Sequence, residues 1–155
     1  MVHYKSLNTE RSETRVVALA PGTSKDELLS CTIRTISLDE NSSFEALSYV
    51  WGDASITKLI HVNGEQLSAT ANLDAALRAS RLPCKPRTLW VEAICINQQD
   101  IAEKNVQVPR MDKIYSGASP VIVWLGPSSP DIELALSWTQ AYVAKSKSSA
   151  TWYWR

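Results

Sequence analysis

The stretch Thr88–Gly126, TLWVEAICINQQDIAEKNVQVPRMDKIYSGASPVIVWLG, decides the fold. Its opening run, Thr88 to Ile96, is apolar except for Thr88 and Glu92, as expected of a strand buried on both faces of a parallel sheet. Asn97-Gln98-Gln99-Asp100 is a polar loop, with Asp100 placed to cap a following helix. Val108, Met111, Ile114, Tyr115 and Ala118 then recur at helical spacing. Pro120 stops that helix, and Val121 to Leu125 form a second short strand before Gly126-Pro127. Strand, helix and strand at this length predict a right-handed βαβ crossover with two parallel strands. The polar loop falls at the carboxyl end of the first strand, where open α/β sheets place their ligand sites.

Before this stretch, Arg15 to Ala20 and Leu28 to Leu38 read as strands, the second with Cys31, Ile33, Ile36 and Leu38 on its buried side. Phe44 to Trp51 is a third strand, ended by Gly52-Asp53. Leu59 to Val62 and Glu65 to Leu67 flank Asn63-Gly64, the pair best suited to a type I′ hairpin turn. A helix starts at Thr70 or Asn72, with Leu73, Ala76, Leu77 and Ser80 on one side and Arg78 and Arg81 solvated. After Gly126, Asp131 caps a last helix with the stripe Ile132, Ala135, Leu136, Thr139 and Val143. The expected organisation is a mobile or loosely docked lead-in at 1–14, an α/β domain at 15–145 and a tail at 146–155. That tail holds Trp152-Tyr153-Trp154, which would dock on the domain or on a partner.

A length of 155 residues suits one domain, and 45% hydrophobic with 21% charged residues is a soluble globular composition. Sixteen basic and sixteen acidic residues cancel, so no global field points to nucleic acid or an acidic membrane. Cys31, Cys84 and Cys95 are an odd set without a CxxC pair, read as reduced and structural in a cytoplasmic setting, with no metal site expected. No apolar run approaches the ~20 residues of a membrane span.

Two acids lie in suggestive places. Glu92 interrupts an apolar run, so it is either a buried hydrogen-bonded acid or a ligand-facing one at a cleft. Glu103 sits in the first turn of the helix after Asp100, where it favours the dipole and could simply pair with Gln107 on the surface. Asn97 and Gln98 put amides at the same helix start, which suits an anionic or ribose-bearing ligand as well as plain capping. Tyr49, Trp51, Gly52 and Asp53 make an aromatic wall beside an acid, or a piece of core. No G-x-G-x-x-G, P-loop or G-x-S-x-G motif occurs, so the residues alone assign no reaction.

FEALSYVWGD at 44–53, NLDAAL at 72–77 and the long stretch at 88–126 together resemble the fungal heterokaryon incompatibility (HET) domain, in family order and spacing. Two departures stand out. Glu92 replaces the aspartate that usually precedes A-I-C-I-N-Q, and Pro109 falls inside the helix, where it costs ~3 kcal/mol unless a kink absorbs it.

The resemblance implies an effector of vegetative nonself recognition that triggers programmed cell death, working through protein partners or self-association. It also implies a three-layer, mainly parallel sheet, TIR-like or flavodoxin-like, with an antiparallel N-terminal strand set and a hairpin. Some TIR domains cleave NAD at the nicotinamide–ribose bond with a glutamate near a helix start, so NAD is a candidate substrate and no cofactor is otherwise implied. On that analogy Glu103 or Glu92 would be catalytic, and Tyr49, Trp51, Gly52, Asp53, Asn97, Gln98 and Gln107 would bind the ligand. Family members continue for hundreds of residues, so an inactive truncated paralogue is the remaining alternative.

Overall fold

The fold was obtained as a computed structural model that describes residues 2–24, 26–127, 129, 130, 132–134 and 137. Seven strands form one mixed sheet: β1 (Glu13–Leu19), β2 (Ser30–Ser37), β3 (Glu45–Tyr49), β4 (Thr57–Val62), β5 (Glu65–Thr70), β6 (Arg87–Trp90) and β7 (Val121–Trp124), in the order β5-β4-β2-β1-β6-β3-β7. Three pairings are parallel (β2–β4, β3–β6, β3–β7) and three antiparallel (β1–β2, β1–β6, β4–β5), so the sheet is mixed rather than mainly parallel.

The crossover from β6 to β7 departs from the simplest reading. Both strands run in the same direction, but β3 lies between them and pairs with each. The expected strand 88–96 is also shorter. It stops at Trp90, and Glu92–Cys95 makes a one-turn helix, α2, whose Ile94 and Cys95 N–H groups donate to the Val91 carbonyl at 3.0 and 2.7 Å. Periodicity cannot separate a buried strand from a buried helical turn when every residue is apolar. Val91, Ile94, Cys95 and Ile96 are all fully buried either way.

Other elements follow their local chemistry. Asn63 and Gly64 take φ of 54° and 82°, so the β4–β5 hairpin turns in two residues as the Asn-Gly pair requires. Helix α1 (Ala71–Ser80) is capped by Thr70, whose hydroxyl accepts from Leu73 N, and it buries Leu73, Ala76, Leu77 and Ser80. Arg78 and Arg81 are not solvated as expected. Arg78 pairs with buried Asp74 at 2.9 Å, and Arg81, 5% exposed, lies along Gly22 and reaches Glu27 at 2.5 Å.

The helix over 101–118 is two pieces, α3 (Ile101–Gln107) and α4 (Met111–Gly117), joined by a 3₁₀ turn at Val108–Arg110. Pro109 stands at the start of that turn, where its missing N–H is not needed, so the break absorbs the proline. Of the predicted stripe, Ile114 is fully buried, whereas Val108 is exposed beside the break.

Helices cover both faces of the sheet. On one face, Thr14 accepts from the Trp90 indole at 3.3 Å, and Tyr115 of α4 meets Trp90 edge-on at 5.5 Å. On the other, α1 lies beside β4, where Lys58 reaches Asp74, and α2 lies beside β1, where Arg15 reaches the Cys95 carbonyl. The lead-in is docked rather than loose. Val2 is buried, the Tyr4 hydroxyl donates to the Ile94 carbonyl at 3.1 Å, and the Arg15 guanidinium lies 4.9 Å over the Tyr4 ring. The last predicted helix lies largely outside the described residues, and the aromatic tail wholly so. Among the described residues no helix is long and apolar enough to cross a membrane.

Candidate functional site

The parallel trio β6, β3 and β7 ends on one side of the sheet, and a groove of about 460 Å³ opens there. Tyr49 and Trp51, from the end of β3, line it with Ala93 of α2 and the loop residues Asn97, Gln98 and Gln99. The opposite wall comes from β5 and α1, through Leu67, Ser68, Ala69, Thr70 and Leu73. The N-terminal segment closes it with Val2, His3 and Tyr4.

The Val50–Gly52 turn that carries Trp51 is held from two sides. Gly52 adopts φ +76°, a conformation glycine takes without strain, and a Cβ there would sit 3.2 Å from the Asn72 Cβ. Asn72 donates its amide to the Val50 carbonyl and accepts from the Trp124 indole at 3.0 Å. One side chain at the start of α1 thus ties β3 to β7. Trp51, 40% exposed, donates its indole N–H to Glu92 Oε2 at 3.2 Å. Gln98 in turn donates to the carbonyls of Glu92 and Ile96 at 3.1 and 3.3 Å. Tyr49 lines the groove, and its buried hydroxyl has no hydrogen-bond partner among the described residues. Burial first, and the Glu92 charge second, raise the pKa of that phenol, so it stays protonated.

Glu103 faces elsewhere. Its carboxylate accepts from both Arg15 Nη atoms, at 2.6 and 2.9 Å, and from the Asn97 N–H at 2.7 Å. Arg15 is 1% exposed and also donates to the carbonyls of Cys95 and Lys5. A buried guanidinium needs such a counter-ion, so the geometry of Glu103 is that of a structural partner. Gln107 is likewise interior, giving its amide to the Glu13 carbonyl at 2.9 Å rather than pairing with Glu103 on the surface. Asp53 is exposed and outside the groove. Its Oδ1 accepts from the Ser55 hydroxyl at 2.7 Å and N–H at 2.8 Å, which hold its carboxyl below the usual range.

Of the residues singled out in the sequence, Tyr49, Trp51, Asn97 and Gln98 meet in the groove, with Glu92 bonded to its rim. Glu103, Gly52, Asp53 and Gln107 do not line it. His3, Tyr4, Ser68 and Thr70 were not foreseen there. A signal existed for Tyr4 alone: Arg15, a charge in a buried strand, had to recruit neighbours from distant segments.

Several helix-start amides are taken up inside the loop. Asp100 caps Glu103 N at 3.0 Å, Asn97 N donates to Glu103, Gln99 N donates to Asn97 Oδ1 and Asp100 N donates to the Asn97 carbonyl. The loop uses these donors internally.

Comparison with known proteins gives one consistent result. The family model described as heterokaryon incompatibility protein (HET) matches residues 44–154, which contain all three sequence blocks. Heterokaryon incompatibility protein 6, OR allele, of Neurospora crassa is 38% identical over 139 residues, covering 81% of this chain and 20% of that protein. The chain thus spans about a fifth of the length of that curated relative. No solved structure matches.

Proposed function

Because this chain belongs to the heterokaryon incompatibility (HET) family, we propose that it is the effector domain of a cytoplasmic nonself-recognition protein and triggers programmed cell death through the Tyr49–Trp51–Glu92 groove. The observation that carries this reading is that the family blocks converge on one place. FEALSYVWGD supplies Tyr49 and Trp51, and NLDAAL supplies the Asn72 that fixes their turn. The long block supplies Glu92, Ala93, Asn97 and Gln98. An open, aromatic-walled groove with converging amide groups is where a ligand or partner site is expected. The test is inducible expression of the chain in a filamentous fungus, scored by growth and vital staining. Wild type should arrest growth, and Trp51→Ala should abolish the arrest at equal protein level. Arrest by Trp51→Ala equal to that of wild type would remove the groove from the function.

A second reading is a TIR-like NAD glycohydrolase, favoured by one observation: Glu92 carries a carboxylate at the groove, on the indole of Trp51. In this reading Glu92, not Glu103, stabilises the oxocarbenium-like ribosyl centre as nicotinamide leaves. Tyr49 or Trp51 stacks on the ring, and Asn97 and Gln98 hold ribose hydroxyls. Nicotinamide release by the purified chain, abolished in Glu92→Gln, is the expected result. Undiminished release by Glu92→Gln would exclude that role, and no release from concentrated wild type would leave an interaction module.

A further inference from the structure

Among the described residues, the groove lining holds one histidine, His3, and no lysine, arginine, aspartate or glutamate. Lys58, on the strand next to this wall, is drawn away to Asp74 at 3.2 Å. Of the neighbouring backbone amides, those of Asn97, Gln99, Asp100 and Glu103 are bonded within the 97–103 loop. An anionic ligand would lose its hydration and meet no lysine or arginine among the described lining residues.

Among the described residues, the carboxylate at the rim is that of Glu92. Glu92 accepts from the Trp51 indole N–H, and an indole donating to a carboxylate has a more electron-rich face. Tyr49 offers a second ring and a buried hydroxyl with no hydrogen-bond partner among the described residues. Aromatic faces backed by a carboxylate, in a lining without lysine or arginine, suit recognition of an organic cation. The mixture of apolar and amide lining suits a small cation with a polar arm.

We propose that the groove binds a small organic cation with a quaternary or ring nitrogen, held against the rings of Trp51 and Tyr49 under the field of Glu92, and that it rejects anions. The proposal requires no reaction, and a dinucleotide, whose diphosphate is anionic, is not the ligand it calls for. It is tested on the full chain by isothermal titration with choline, its uncharged isostere 3,3-dimethylbutan-1-ol, N-methylpyridinium and inorganic phosphate. Choline and N-methylpyridinium should bind at least tenfold more tightly than the isostere, and phosphate should give no heat at tenfold higher concentration. Glu92→Gln should weaken choline at least threefold while leaving the isostere unchanged, and Trp51→Ala should abolish both cations. A melting midpoint within 2 °C of wild type shows that either variant is folded. Equal binding of choline and isostere, measurable phosphate binding, or cation binding untouched by Trp51→Ala in a folded protein would each overturn the proposal.

Discussion

Two glutamates of the same sequence block have opposite surroundings. Glu103 is locked into the interior by buried Arg15 and the Asn97 N–H, and both of its oxygens are taken. Glu92 stands at the rim of a groove and receives the indole N–H of Trp51. Analogy with TIR domains made Glu103 the first catalytic candidate and Glu92 the second, while local sequence offered each a structural role. In the structure Glu103 pairs inside the fold and Glu92 stands beside the groove. A carboxylate's environment is set by what distant segments bring to it. Arg15 comes from a strand 88 positions away, and Trp51 from one 41 positions away.

The largest expected effect lies on the interior side. Glu103→Gln leaves the Arg15 charge buried without its partner and should cost about 3 to 5 kcal/mol of stability in urea unfolding. The paired change Arg15→Met with Glu103→Leu should recover much of that loss, because it removes both charges rather than one. A single mutant as stable as wild type would break the comparison.

Asn72→Ala comes next. It strands the Trp124 indole N–H and the Val50 carbonyl and should cost about 1 to 2 kcal/mol, with a shifted Trp51 indole resonance as the sign that the turn has moved. An unmoved resonance would separate Asn72 from the site.

Alkaline pH addresses the interior again. Burial pushes the Cys95 and Cys31 thiols up to about 12, whereas thiols of the unfolded chain ionise near 8.5. Their contribution is therefore fully present below about pH 8.5 and is lost as pH rises toward 12, which should lower the melting temperature steadily above pH 9. At pH 8 a thiol reagent should modify exposed Cys84 alone in the native chain, and all three cysteines in denaturant.

The smallest effect belongs to the rim. Glu92→Gln removes a half-exposed contact and should leave stability within about 0.5 kcal/mol of wild type.

What was legible in the sequence was local. Asn63-Gly64 fixed a hairpin because few pairs tolerate two positive φ values, and Thr70 and Asp100 marked helix starts because their side chains satisfy N–H groups three residues on. What was hidden was non-local. Nothing in Thr88–Gly126 says that β3 slots between β6 and β7, since that order depends on pairing with residues 45–49. The Glu92–Cys95 turn was hidden in a uniformly apolar run, and the 3₁₀ break at Pro109 was legible only as a cost to be absorbed. The groove was half visible. Tyr49, Trp51, Asn97 and Gln98 carry side chains that attract notice, whereas Val2, His3 and Tyr4 reach it only because the lead-in packs across α2.

The most direct measurement of the central claim sets growth arrest beside thermal melting for Glu92→Gln. The groove account predicts a variant that melts within 2 °C of wild type and no longer arrests growth. A Glu92→Gln protein that is equally stable and arrests growth as wild type does would contradict it.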